Sequence, residues 1–222
     1  MSEEIKEIVA ARGISEVVHF TSNHGLVGSL QVGSVVSRRQ LPAEKHLAYI
    51  AAPTSATRRE AEAYFDKNED WLDFVNLSIS EINTSYFNFA SKKWHVTGDR
   101  WWAILAFSPD ILSHDGVYFA TTNNIYEHVS RQSDANGLQS LFSQTVRRKV
   151  SWTAFRRDRA DNLPTCEQAE VLYPKRLSLN HLEKVYVQNG DDYDLVSGWL
   201  NYYKRPNVQV VIDAAKFDGQ PN

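Results

Sequence analysis

A chain of 222 residues with 42% hydrophobic and 12% aromatic content can bury a substantial core, and it reads as one folded domain over residues 1–222. A lone cysteine, Cys166, excludes an internal disulfide and a thiolate metal cluster. With a charged, amphipathic opening (MSEEIKEIVAARG) and no apolar run of membrane-spanning length, the expected setting is the cytoplasm, away from any membrane. The net charge of −3 excludes a coat of positive potential, yet RRKVSWTAFRRDR (147–159) carries six Arg or Lys against one Asp.

In chain order, SEEIKEIVAAR predicts a helix, with Ile5, Ile8 and Val9 at helical spacing and Gly13 placed to end it. EVVHFT (16–21) predicts a strand, SNHGLVGSLQVG a short helix ended by Gly33, and SVVSRRQL a further strand. SATRREAEAYFDKN (55–68) has the mixed charge of a surface helix. WLDFVNLSI (71–79), RWWAILAFS (100–108) and GVYFATT (116–122) are aromatic and β-branched, as strands require, and NTSYFNFASKKW (83–94) between the first two reads as helix or irregular segment. SRQSDANGLQ (130–139) reads as a mobile polar loop. SLNHLEKVYV predicts a helical turn entering a strand, and DDYDLVSGWLNYYKR with NVQVVID predicts a closing helix and strand. Strands separated by irregular numbers of helices indicate an α+β fold.

CEQAEVLYPKRL (166–177) raises a chemical question, because Glu170 stands inside an apolar run. Alternation puts Gln168, Glu170 and Leu172 on one face and Ala169, Val171 and Tyr173 on the other. A carboxylate there faces water, finds a partner, or shifts its pKa. No G-x-S-x-G elbow, Walker loop, G-x-G-x-x-G or H-E-x-x-H motif is present, and the seven His lack metal-ligand spacing, so no metal is expected. Cys166 reads as a small buried residue. The basic stretch, with Trp152 and Phe155 interleaved among Arg147, Arg148, Lys149, Arg156 and Arg157, suits either a polyanion with stackable bases or a solvated, salt-bridged helix or loop. A histidine such as His19, within a strand, is ordinarily satisfied by a backbone carbonyl.

HFT on an early strand, then NHGLVGSL, DFVNLSISEINTSYF, WWAILAFSPDIL with GVYFATTNNIY, and finally QAEVLYP, resembles in order and spacing the DarT family of toxin ADP-ribosyltransferases, from about residue 16 to 187. The spacing and the VNLSI…YF segment look more like the guanine-modifying branch than the thymine-modifying one. The resemblance implies an ADP-ribosyltransferase fold, a split pair of β-sheets with peripheral helices related to diphtheria toxin and the poly-ADP-ribose polymerases. It also implies NAD⁺ as co-substrate, single-stranded DNA as acceptor, and an antitoxin of the macrodomain or NADAR type that removes the mark.

Position by position, the resemblance gives Glu170 as the catalytic carboxylate and His19 as a hydrogen-bond partner of the adenosine-side ribose. It gives Thr21 as a contact of the nicotinamide carboxamide. Tyr86 is a candidate for stacking on nicotinamide, with Phe74, Phe87 and Phe89 competing, and Arg38 or Arg39 are candidates for holding the pyrophosphate. The basic stretch then stands where this fold keeps its acceptor-recognising loop. An acceptor of RNA, protein or water, or a non-catalytic nucleic-acid-binding module, are the competing readings.

Overall fold

The computed structural model describes residues 3–40, 71–93 and 99–220. The helix expected over 55–68 lies outside the described residues. Helix α1 (Glu3–Ala11) opens with two glutamates, which suit the positive end of a helix, and buries Ile5. Strand β1 (Val17–Ser22) leads directly into α2 (Asn23–Val32), because Ser22 caps it by accepting from the Gly25 N–H at 3.2 Å, and Gly33, left-handed at φ 72°, ends it. Strand β2 covers only Ser34–Val36, and Arg38–Gln40 turn as a 3₁₀ helix, shorter than the eight-residue strand expected. The cause lies in the partner strand. Ser34 to Val36 pair with β10 (Arg176–Ser178) and the Ser37 N–H continues that ladder to Lys175 O, but Lys175 is left-handed at φ 57° and gives its own N–H to Asp73 O, so the pairing stops there.

Trp71–Asp73 likewise turn before β3 (Phe74–Ile79) begins. The ambiguous segment after it is helix α3 (Thr84–Lys93), capped by Asn83, whose Oδ1 accepts from the Tyr86 N–H. Strands β4 (Trp102–Phe107) and β5 (Tyr118–Ala120) follow as expected. The polar segment expected to be a mobile loop instead holds β6 (Arg131–Gln132) and helix α4 (Ala135–Ser140). Asp134 caps that helix, Leu138 is buried, and Gly137 lies so close to Gln132 that a Cβ would meet its carbonyl at 2.7 Å. The polar residues there are a cap and an exposed surface.

The basic stretch forms a hairpin, β7 (Thr145–Lys149) and β8 (Trp152–Phe155). Glu170 opens β9 (Glu170–Pro174), then come β10, β11 (Leu182–Val187), α5 (Gly190–Tyr202) and β12 (Gln209–Ile212).

The main sheet runs β12-β11-β4-β1-β3-β9-β5-β6. One face, with Val17, Leu77, Leu105, Phe107 and Val171, buries the side chains of α1, α2 and α5. The other carries Val18, Ile104, Ala106 and Tyr186 against Phe87 and Phe217. The centre of this sheet is not continuous. β1 pairs with β4 along its whole length, Val17↔Phe107 to Ser22↔Trp102, and β3 pairs with β9 from Phe74↔Pro174 to Leu77↔Val171. Between β1 and β3 the pairs are Val17↔Ile79 and Val18↔Ser78 alone, so the two strands part beyond Val18. That fork is the split expected of the fold, and His19 is the first residue past it.

Candidate active site

His19 stands on one lip of the fork, and its Nδ1 lies 2.9 Å from the Asn76 carbonyl on β3. A carbonyl only accepts, so Nδ1 carries the proton. Burial lowers the His19 pKa, and the neutral ring therefore keeps a lone pair on Nε2. Thr21, two residues on and so on the same face, is pressed against the first turn of α2. A Cβ on Gly25 would overlap its Oγ1, so only glycine lets the strand and helix meet this closely.

Glu170 stands on the other lip, on the residue before Val171, which pairs with Leu77; the next residue of β3, Ser78, pairs with Val18. The faces fall as alternation requires: Ala169, Val171 and Tyr173 turn to the main core, and Leu172 packs with Trp71 and Ala120 on the Glu170 side. Its Oε2 accepts from the Asn124 N–H at 2.9 Å, and the Asn76 side chain also hydrogen-bonds to the carboxylate. Burial nonetheless dominates and pushes the Glu170 pKa up to about 7, against the opposing pull of these two hydrogen bonds and of Arg131. Asn76 thus joins both lips, its carbonyl to His19 and its side chain to Glu170.

Tyr86 is 45% exposed on α3, with its ring 5.7 Å from that of Phe20. Phe20 opposes His19 in the alternation of β1 and shares a sheet face with Asn76, so Tyr86 stands on the Glu170 side. Phe87 is buried against Phe20, Trp102 and Phe217, and Phe74 packs on Trp71 and Tyr118, which makes both core aromatics; Phe89 is exposed on α3. Arg38 is half-buried in the 3₁₀ turn after β2, and the Arg39 Nε lies 3.3 Å from Asp73 Oδ1, at the end of β3 where the fork is open.

The basic residues divide into two sets. Arg147, Lys149, Trp152, Phe155 and Arg157 are exposed, with Trp152 at 46%. Arg148 and Arg156 are not surface cations, contrary to the sequence reading. Arg148 is fully buried, with Nη2 3.3 Å from Glu167 Oε1 and its guanidinium carbon 3.9 Å from the Trp152 ring centroid. Arg156 donates to the carbonyls of Ala160 and Leu163 and to Thr165 Oγ1, bracing the loop that leads to β9. A strand alternates its faces, so a run of cations on a hairpin must turn some inward, where carboxylate or carbonyl oxygens have to meet them. Cys166 is buried, with Sγ donating to Thr122 Oγ1 at 3.3 Å.

Sequence reading missed Asn76, Asn124 and Arg131. A polar residue amid FVNLSI was the available signal for Asn76. Among the described residues no three His, Cys, Asp or Glu gather to hold a metal ion, and no helix is long and apolar enough to cross a membrane.

A large mixed sheet split at its centre and flanked by helices is the architecture of an ADP-ribosyltransferase. Residues 18–218 match the family model described as "ssDNA thymidine ADP-ribosyltransferase, DarT". The chain belongs to the DarT family.

Solved structures of similar fold include Thermus sp. 2.9 DarT in complex with ADP-ribosylated ssDNA (TM-score 0.63, 13% identity, covering 92% of this chain and 96% of that one). Another is the Thermus protein in complex with NAD⁺ (TM-score 0.62, 14% identity, 91% and 97%). A third is Thermosipho africanus DarTG in complex with ADP-ribose (TM-score 0.62, 14% identity), where the match covers 94% of this chain and 52% of that one. At such identities the likeness is one of fold. Comparison with curated protein sequences gives no match.

Proposed function

We propose that residues 1–222 act in the cytoplasm as a single-domain enzyme that transfers ADP-ribose from NAD⁺ to a base of single-stranded DNA, guanine by the motif resemblance, as a toxin opposed by an antitoxin that removes the mark. Membership of the DarT family supports the activity. The observation that carries the residue assignment is the joint attachment of His19 and Glu170 to Asn76 at the fork.

NAD⁺ would supply an activated sugar carbon whose leaving group is neutral nicotinamide. The residues of the fork fit that task. His19 presents Nε2 as an acceptor for a ribose hydroxyl, since Nδ1 is committed to Asn76. Glu170, ionised, can accept from a hydroxyl beside the reacting carbon and so stabilise positive charge developing there, the more strongly where water is excluded. With a pKa of about 7 it is also matched to take the proton of an attacking base amine at neutral pH. Thr21 and Tyr86 are assigned to the nicotinamide end, and Arg38 and Arg39 to the pyrophosphate. Arg147, Lys149 and Arg157 are assigned to the DNA backbone, and the exposed rings of Trp152 and Phe155 to stacking on its bases.

The test is mass spectrometry of single-stranded oligonucleotides, each containing one reactive base type, after incubation with NAD⁺ and either the wild type or Glu170→Gln. ADP-ribose is expected on the guanine oligonucleotide, with at least a hundredfold less transfer by the variant. Label on thymine alone would correct the base. Label on RNA or protein, or free ADP-ribose without marked DNA, would overturn the choice of acceptor.

A further inference from the structure

The backbone group that holds Glu170 is itself held by one side chain. Residues 121–130 form a closed loop in which the Thr121 N–H donates to Ser130 O, the Ser130 N–H donates to Thr121 Oγ1, and the Ile125 N–H donates to Asn123 Oδ1, each at 3.1 Å. Asn124, buried within it, directs its N–H at Glu170 Oε2. Both oxygens of Asn124 are taken by Arg131 on β6: Nε donates to Oδ1 and Nη2 to the backbone carbonyl. The guanidinium rests 5.0 Å from the Trp71 ring centroid, over a buried aromatic cluster.

We propose that Arg131 is the positioning residue of this site: by gripping Asn124 at two points it aims that residue's N–H at Glu170 and so sets the direction in which the carboxylate faces the cleft. The inference rests on Glu170 being the catalytic carboxylate. The amide donor survives any non-proline substitution of Asn124, so its orientation depends on what grips the residue. A planar guanidinium reaches two oxygens at fixed spacing, which a lysine ammonium cannot do. Arg131 also brings its charge to the site. The groups facing the carboxylate are the uncharged Asn76 on β3 and Asn124, the phenol of Tyr126 in the same loop, which carries Lys149 over its ring, and Arg131 itself, whose charge opposes the burial that raises the Glu170 pKa.

The experiment measures kcat and the KM for NAD⁺ from pH 5 to 9 with a single-stranded oligonucleotide as acceptor, in the wild type, Arg131→Lys, Arg131→Met, Asn124→Ala and Glu170→Gln. The wild-type rate is expected to rise with pH through about 7. Arg131→Met moves that acidic limb to higher pH, and each unit of movement lowers the rate about tenfold below it. Arg131→Lys lowers the plateau of kcat and moves the limb less than Arg131→Met, because the grip is lost but the charge stays. Asn124→Ala, which cuts the grip at one of its two points, lowers the plateau and likewise moves the limb to higher pH by less than Arg131→Met, since the N–H that helps to hold the carboxylate ionised is loosened and the charge remains. KM for NAD⁺ stays unchanged in the Arg131 and Asn124 variants.

Wild-type limb and plateau in both Arg131 variants, or a loss confined to thermal stability or to KM, would overturn the positioning role. Should Arg131→Met fail to fold, Arg131→Lys and Asn124→Ala carry the same comparison. Transfer retained by Glu170→Gln would overturn the catalytic reading beneath it, a result distinct from normal kinetics in the Arg131 variants alone.

Discussion

Glu170, with its raised pKa, opposes folding at and above neutral pH. Its pKa is raised from 4.5 to about 7, so the folded state binds a proton that the unfolded chain releases earlier. Below the unfolded value both states are protonated and the difference vanishes; as pH rises through the interval, stability falls, and above the folded value the loss is complete. Glu170→Gln, which keeps the shape and removes the charge, should therefore be more stable than the wild type at pH 8 by on the order of 2 to 3 kcal/mol, and equal to it near pH 4. Urea unfolding at the two pH values measures this, and equal stability at pH 8 would mean the carboxylate is better solvated than its surroundings indicate. His19 and Glu170 could be picked from the sequence because each is a polar residue in an apolar strand within a recognisable order of motifs. Asn124 and Arg131 could not, because they act through a backbone N–H and a grip on backbone and amide oxygens, and neither leaves a compositional trace. Arg131 even stood in a stretch whose polarity looked like that of a loose loop.

The β7–β8 hairpin shows what charge counting misses at the level of an element. The sequence displays a block of cations, but the strand turns Arg148 inward onto Glu167, which also accepts from Ser85 on α3 at 3.1 Å. Removing one member of a buried pair takes away the charge that chiefly offsets the desolvation of the other. Arg148→Met should destabilise the protein by about 3 kcal/mol through the weaker matching of Glu167, read as a drop in the urea midpoint. The exposed cations should behave in the opposite way. Replacing Arg147, Lys149 and Arg157 by Glu should leave the midpoint nearly unchanged, weaken binding to single-stranded DNA, and reduce the slope of log affinity against log salt by about 2, at roughly 0.7 per lost phosphate contact. Fluorescence titrations at several salt concentrations test this, and an unchanged slope would remove the hairpin from the DNA path. Charge counting did not announce a hairpin here; once the strand is known, the inward turn of Arg148 follows from alternation with the buried Val146, and what the sequence leaves unseen is Glu167, the carboxylate that meets it.

Across the whole molecule, most of the order of elements could be read from composition, outside β6 to β8, but the neighbours in space could not. β3 lies between β1 and β9, and the His19–Asn76 bond spans 57 residues of chain. The C-terminal segment fastens the frame: Lys216 donates to Ser80 O and pairs with Glu16, Gln220 N–H donates to Glu81, and Arg159 joins Glu81 and Gln220 O to the loop before β9. These ties hold the two halves of the sheet in place around a centre where few rungs connect them.

A sheet with an unsewn seam has a weak line along which it opens first. Whatever fills the gap between β1 and β3 supplies the stitches, and the cofactor then serves the architecture as well as the reaction. Amide hydrogens of β3 around Asn76 should exchange with deuterium quickly in the empty protein and slow when NAD⁺ is added, while those of the fully laddered β1–β4 pair remain as they were. Equal exchange in β3 with and without NAD⁺ would mean that the seam is already closed by the protein alone.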